Sequence, residues 1–172
     1  MAEDTRLGQQ DQATQGLIEL EGKYLTFRLA EEEYGIPILT VVEIIKMMEV
    51  TPVPRTPSYV RGVINLRGRV IPVVELREKF GMPATADTSE TCIIVVKVHS
   101  SDGDLEMGII IDTVSEVLDI QGRQIEAPPQ FGTACDTDFI LGMAKAGTSV
   151  KILIDINRIL GGEEIAALVG QE

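Results

Sequence analysis

The side chains of this sequence that could do chemistry are few and scattered. Its single histidine, His99, opens the polar run His99-Ser100-Ser101-Asp102-Gly103-Asp104. Acid–base or nucleophilic catalysis needs an imidazole held against a second group in a cleft, and a solvated turn is the simpler reading of so polar a loop. Asp102 and Asp104 have the alternate spacing of a calcium loop, but the later glutamate is missing and strand-like sequence resumes at Leu105. Asp112 and Glu116 stand four apart. Glycosidase chemistry between them would want aromatic side chains in a cleft, so they read as a solvated face. Cys92 and Cys135 form no CxxC and have no histidines at metal-ligand spacing; Cys92 reads as a buried thiol in an apolar run. There is no glycine-rich phosphate loop and no Gly-x-Ser-x-Gly. The expectation is a protein that is not an enzyme, with no catalytic residue, metal site or cofactor.

Arg67 makes a different demand. It lies between Leu66 and Gly68 on an expected hairpin with apolar neighbours, and an unpaired buried guanidinium is very costly. It needs solvent or a carboxylate, and Glu43 can supply the latter as a structural bridge or as part of a recognition site. Recognition is the stronger reading.

Composition sets the frame for these residues. With 172 residues, the chain can bury roughly 70% of its extended surface and needs no disulfide or metal to hold a core. The 20 isoleucines and 16 valines against 14 leucines favour a pleated surface, hence a mainly β fold. Tryptophan is absent, and three tyrosines and four phenylalanines give little material for stacking bases or sugars. A net charge of −12 further argues against nucleic acid as a partner, because phosphate binding relies on clustered Lys and Arg. No apolar run approaches the ~20 residues that span a bilayer, and the start lacks an export signal. The expected setting is cytoplasmic, without membrane insertion.

Residues 1–21 have too little apolar content to order and are expected to form a disordered acidic tail. Beyond it, Leu25, Phe27 and Leu29 alternate with polar residues as in a half-buried strand. A second strand runs Tyr34–Ile38, where Pro37 favours a sheet edge. Val41, Val42, Ile44 and Ile45 suit either a short helix or a twisted strand end. The prolines of Thr51–Pro57 predict an extended connector. Val63–Arg67 and Val70–Leu76 form a hairpin around Gly68. The loop-like stretch 81–90 is the expected boundary between a first unit, 22–83, and a second, 84–172, that ends in a helix over Glu163–Val169.

An internal repeat crosses that boundary. At an offset of 73, Tyr34–Ile45 matches Met107–Leu118 with six of twelve positions identical, among them Gly35/Gly108, Val41/Val114 and Glu43/Glu116. At an offset of 80, Gly62 matches Gly142, and Val70–Leu76 matches Val150–Ile156. Two copies of a small β unit, each poor at burying its own apolar face, are expected to pack together and leave a groove at their junction. Charge divides similarly, with a balance of +3 over 34–83 and −10 over 84–172. This reads as ordinary solvation of two surfaces, or as steering of head-to-tail assembly with similar domains, in a contact that closes into a ring or extends.

The order Phe27-x-Leu29, Tyr34-Gly35-Ile36-Pro37-Ile38, Val41-x-Glu43-Ile44, Pro52-x-Pro54, Gly62-Val63-Ile64-Asn65-Leu66-Arg67-Gly68, Ile71-Pro72-Val73-Val74 and Leu76-Arg77 resembles the CheW family of chemotaxis coupling proteins. Gly108-Ile109-Ile110-Ile111-Asp112, Val114-Ser115-Glu116-Val117 and Ala127-Pro128-Pro129 continue the resemblance, which covers about residues 22–168. It implies two SH3-like five-stranded β-barrels packed together, with short helices. It implies a non-catalytic scaffold that couples the cytoplasmic signalling tip of chemoreceptors, a helical hairpin, to the histidine kinase CheA through that kinase's CheW-like regulatory domain. It also implies receptor binding in the apolar groove between the barrels and kinase binding elsewhere on their surfaces, at receptor arrays on the membrane. By motif position, Glu43 and Arg67 resemble an ion pair beside that groove, and Ile38, Val41, Ile44, Cys92, Gly108 and Val114 its lining. Cys92 replaces the usual aliphatic residue with one of similar size. A scaffold of a related non-flagellar chemosensory pathway is the alternative. A regulatory piece of a larger kinase, or an adaptor with an appended receiver domain, fits the length less well.

Overall fold

A computed structural model describes residues 19–100, 103–128 and 138–160. Cys135, most of the expected tail and the expected helix over Glu163–Val169 lie outside these residues. The strands are β1 (Gly22–Leu29), β2 (Glu32–Pro37), β3 (Val41–Lys46), β4 (Val60–Leu66), β5 (Arg69–Glu75), β6 (Cys92–Ser100), β7 (Gly103–Ile111), β8 (Thr113–Ile120), β9 (Ile125–Glu126), β10 (Ile140–Ala146) and β11 (Ser149–Ile154). Helix α1 (Leu76–Lys79) follows β5 and helix α2 (Ile156–Leu160) follows β11; 3-10 turns occupy Ile38–Thr40 and Gly122–Gln124. The chain is mainly β, as expected. Two mixed sheets form, one of six strands in the order β8-β1-β2-β11-β10-β9 and one of five in the order β3-β6-β7-β5-β4.

The sheets do not follow the boundary expected at residue 83. Strands β1 and β2 lie in the sheet built mostly from the second repeat, while β6 and β7 lie in the sheet built mostly from the first. Each repeat therefore lends its first two strands to the other. Sheet membership changes at Ile38–Thr40 and again at Asp112, positions related by the offset of 73, and not in the loop at 81–90. The charge division along the sequence consequently does not separate two bodies.

Register proves the duplication. Val73 lies beside Gly108 in the parallel pairing of β5 with β7, and its counterpart Leu153 lies beside Gly35 in that of β11 with β2. The same bulge recurs at Val60/Gly62 and Ile140/Gly142, and again at Val41/Glu43 and opposite Thr26/Phe27. Pairing of β3 with β6 and of β8 with β1 extends the match to β1 and β6 at an offset of 69. No residue is identical there.

Burial follows this arrangement. Ile64, Leu66, Ile71, Val73, Ile93 and Val95 make a cluster within the five-stranded sheet, and Tyr24, Ile120, Ile125, Ala144 and Leu153 one within the other. A larger cluster, including Leu25, Phe27 and Ile36 from one sheet and Ile94, Val96 and Ile109 from the other, joins the two. Rings of Phe27, Tyr34, Phe80 and Phe139 run through this region with centroids 5.1–6.0 Å apart. Apolar area buried on both faces of β1, β2, β6 and β7 is what makes the interlocked form stable.

Two local expectations are corrected. Strand β2 is interior, paired with β1 on one side and β11 on the other. Pro37 is tolerated because pairing with β11 ends at Gly35, so no ladder bond is asked of the proline. The connector Thr51–Pro57 is not extended throughout: it turns at Pro54-Arg55, with Arg55 at φ +63°.

Candidate functional site: a rim along the shared core

Strand β3 is the outer strand of the five-stranded sheet, and its bulge at Val42 divides its side chains between two faces. Val41 packs against the shared core, as do Ile38 from the preceding 3-10 turn, Cys92 from the start of β6 and Val114 from β8. All four are partly buried. Burial raises the pKa of the Cys92 thiol, and the nearby Val114 backbone opposes that shift to a smaller extent. Ile44, opposite Ile94, is 45% exposed, and its counterpart Val117 on β8 is 50% exposed. Partly buried or exposed apolar side chains thus border the shared core on β3, β6 and β8, an arrangement called the rim below.

Gly108 is placed differently. It is buried, and a Cβ on it would come within 2.7 Å of Ile93 Cγ2 and 3.3 Å of Val73 Cγ2. It faces the inner cluster of its own sheet and supports packing rather than a surface.

Arg67 and Glu43 meet across the end of this sheet. The guanidinium donates from Nη1 to Oε1 and from Nη2 to Oε2, both at 2.7 Å. This fork holds the Glu43 carboxyl below its usual range, with a further contribution from Arg69, and raises Arg67. The pairing occurs, but burial is not its cause, since the Arg67 side chain is 67% exposed. Its backbone is the unusual feature. Arg67 has φ +52° and Gly68 φ +87°, as a type I′ hairpin turn requires at both central residues. At the matching position of the other copy stands Gly147, at φ +65°. A residue with a Cβ is disfavoured there, yet this copy keeps an arginine and aims it at Glu43.

The remaining candidates fall outside the rim. His99 Nδ1 lies 2.5 Å from Asp104 at an exposed hairpin end. Asp112 is not on a solvated face: it is partly buried and paired with Arg77. Glu116 is exposed on β8. Among the described residues, no group of three His, Cys, Asp or Glu could hold a metal ion. Sequence reasoning missed Leu39, 95% exposed, Val42 and Val117; the shared repeat offset that links Ile44 to Val117 is the signal that could have found the last.

The duplicated β fold has a counterpart among known proteins. Residues 23–164 match the model of the CheW-like domain. The chain belongs to the CheW-like family. It is 38% identical over 144 residues to the chemotaxis protein CheW of Klebsiella aerogenes, covering 84% of each chain. It is 34% identical to that of Bacillus subtilis, covering 86% of this chain and 92% of the other. The crystal structure of the scaffolding protein TtCheW from Thermoanaerobacter tengcongensis superposes with a TM-score of 0.73 at 35% identity, over 84% of this chain and 95% of that one. The CheW-like fold of two β units is thus the fold of this chain, and its work is that of a chemotaxis scaffold rather than an enzyme. Among the described residues, no helix is long and apolar enough to cross a membrane.

Proposed function

We propose that this chain couples the cytoplasmic signalling tip of chemoreceptors to the histidine kinase CheA by binding both, in the cytoplasm at receptor arrays. The receptor's helical hairpin docks along the rim of Ile38, Val41, Ile44, Cys92 and Val114. A helix in such a groove is held by a few apolar anchors, with flanking charge setting its register. Ile44 is exposed enough to be an anchor, and Glu43–Arg67 supplies the charge. Gly108 contributes by keeping β7 close to β5 and β6. The kinase's CheW-like domain docks elsewhere on the two units, where ring assembly with similar domains is open to it. Membership in the family supports the coupling role, and the observation that carries the choice of surface is Arg67, kept at a position where backbone geometry favours glycine.

Titration with a receptor signalling hairpin tests this reading. Backbone amide signals of Val41, Glu43 and Arg67 should shift, and the dissociation constant for a CheA regulatory fragment should lie in the micromolar range typical of modest interfaces. Shifts confined to other surfaces would relocate the receptor site.

A further inference from the structure

Duplication allows each residue to be compared with its counterpart, and the two crossings between sheets are built differently. The first, Ile38–Thr40, leads from β2 to β3; the second, Asp112, leads from β7 to β8. Near each crossing, a backbone N–H at the far end of β6 or β1 must find an acceptor: His99 in one case and Ala30, its counterpart at the offset of 69, in the other. In the first copy Asn157 of α2 accepts from the His99 N–H directly, at 2.8 Å. The residue in the place of Asn157 in the other copy is Arg77 of α1, which has donors only. There the Asp112 carboxylate accepts from the Ala30 N–H at 2.8 Å. Arg77 grips that carboxylate from the other side, through Nε at 2.8 Å and Nη2 at 2.5 Å, and also donates to the Pro83 carbonyl at 3.2 Å. The residue matching Asp112 in the first copy is Leu39, which points into solvent with no such duty.

We propose that Asp112, clamped by Arg77, is a positioning residue for the binding rim. Its carboxylate ties the β1–β2 turn of one sheet to α1 of the other, and so fixes the crossing from which β8 departs. Val114 follows two residues later and packs, like Cys92, against the shared core. The contacts from Arg77 to Asp112, and the short chain from there to Val114 on the core it shares with Cys92, therefore set where this side of the rim stands. A bidentate fork is directional as well as attractive, and with side chains only 18% and 28% exposed it is partly sheltered from water. The rim role rests on the docking surface proposed above, whereas the clamp is a property of the free protein.

The experiment transplants the first copy's solution into the second. In a Cys135→Ser background, which leaves Cys92 as the sole thiol, three variants are compared with the parent: Asp112→Leu, Arg77→Asn and the double variant. Ala30 amide exchange and the Cys92 labelling rate are measured on free protein, and affinity for a receptor hairpin afterwards. Asp112→Leu should accelerate both exchange and labelling by about tenfold or more, as local opening becomes easier, and should weaken hairpin binding. The double variant, with an amide placed as Asn157 is, should recover most of all three. If Asp112→Leu does not fold, Asp112→Asn makes the comparison, with intermediate rates expected. Unchanged exchange and labelling in the folded single variant, or a double variant no better than the single, would overturn the clamp. Altered exchange and labelling with undiminished hairpin affinity would overturn its role at the rim. A parent protein that does not bind the hairpin at all would instead overturn the docking surface, with exchange and labelling still deciding the clamp.

Discussion

Arg67 reaches Glu43 with both arms of its guanidinium from a backbone φ of +52°, while the corresponding turn of the second repeat places Gly147 at φ +65°. The fold thus offers its own evidence that glycine suits this position. Arg67→Gly should leave the melting temperature within about 3 °C of the parent, because an exposed ion pair contributes little and the backbone conformation is relieved. Binding of a receptor hairpin should fall by tenfold or more, and Arg67→Ala should show the same loss. Calorimetry and titration of both variants check this, and a large drop in melting temperature with binding intact would return the pair to a purely structural role.

The exchange of strands gives a second expectation. Neither 22–83 nor 84–172 contains a complete sheet, since β1–β2 and β6–β7 each pair with strands from the other fragment. Each fragment alone would expose the apolar faces of strands that are central in the whole protein, and so should be unfolded or aggregated. Co-expressed, the two should associate into a complex with dispersed amide spectra. Well-folded single fragments would contradict the interlocked topology.

What the sequence made legible follows from what each contact demands. Gly35 and Gly108 appear in the repeat because a Cβ there would come within 3.0 Å of Leu153 and 2.7 Å of Ile93, so glycine stands at both. The pairs Tyr24/Ile93, Leu25/Ile94 and Phe27/Val96 sit at equally strict registers, but core packing asks only for an apolar side chain of suitable size. Identity was lost there, and with it the sign that β1 and β6 are counterparts and have changed places. From sequence alone the long loop at 81–90 therefore reads as the boundary. Likewise the Glu43–Arg67 pair was readable from charge and context, whereas Asp112 looked solvated because its partners, Arg77 and the Ala30 N–H, are brought to it only by the crossing of sheets.

Acid titration should show the Asp112 clamp. The Arg77 hydrogen bonds hold this carboxyl below its ordinary range, the Ala30 N–H acts in the same direction, and partial burial opposes them. A pKa lower in the folded than in the unfolded chain means that the stabilisation is complete above the ordinary carboxylate pKa of ~3.9. It is lost as pH falls through the depressed folded value. Asp112→Asn should lower stability at neutral pH and flatten the fall in melting temperature between about pH 5 and pH 2. Parallel curves for variant and parent would show that this carboxylate is not among the groups responsible.

Ile44 and Gly108 separate surface from support. Ile44 is 45% exposed on the outer strand, so Ile44→Glu removes little buried area and should unfold at nearly the parent temperature. If the rim receives a helix through apolar anchors, the same change should weaken hairpin binding by tenfold or more, because a carboxylate would be desolvated in the contact. Gly108→Val should behave in the opposite way. Its added carbons meet Ile93 and Val73 in a filled core, and overpacking of this kind costs about 1–3 kcal/mol, while any protein that remains folded should bind through an intact rim. Denaturant melts paired with titrations distinguish the two, and a Gly108→Val protein that is stable but unable to bind would move Gly108 from the core into the docking surface.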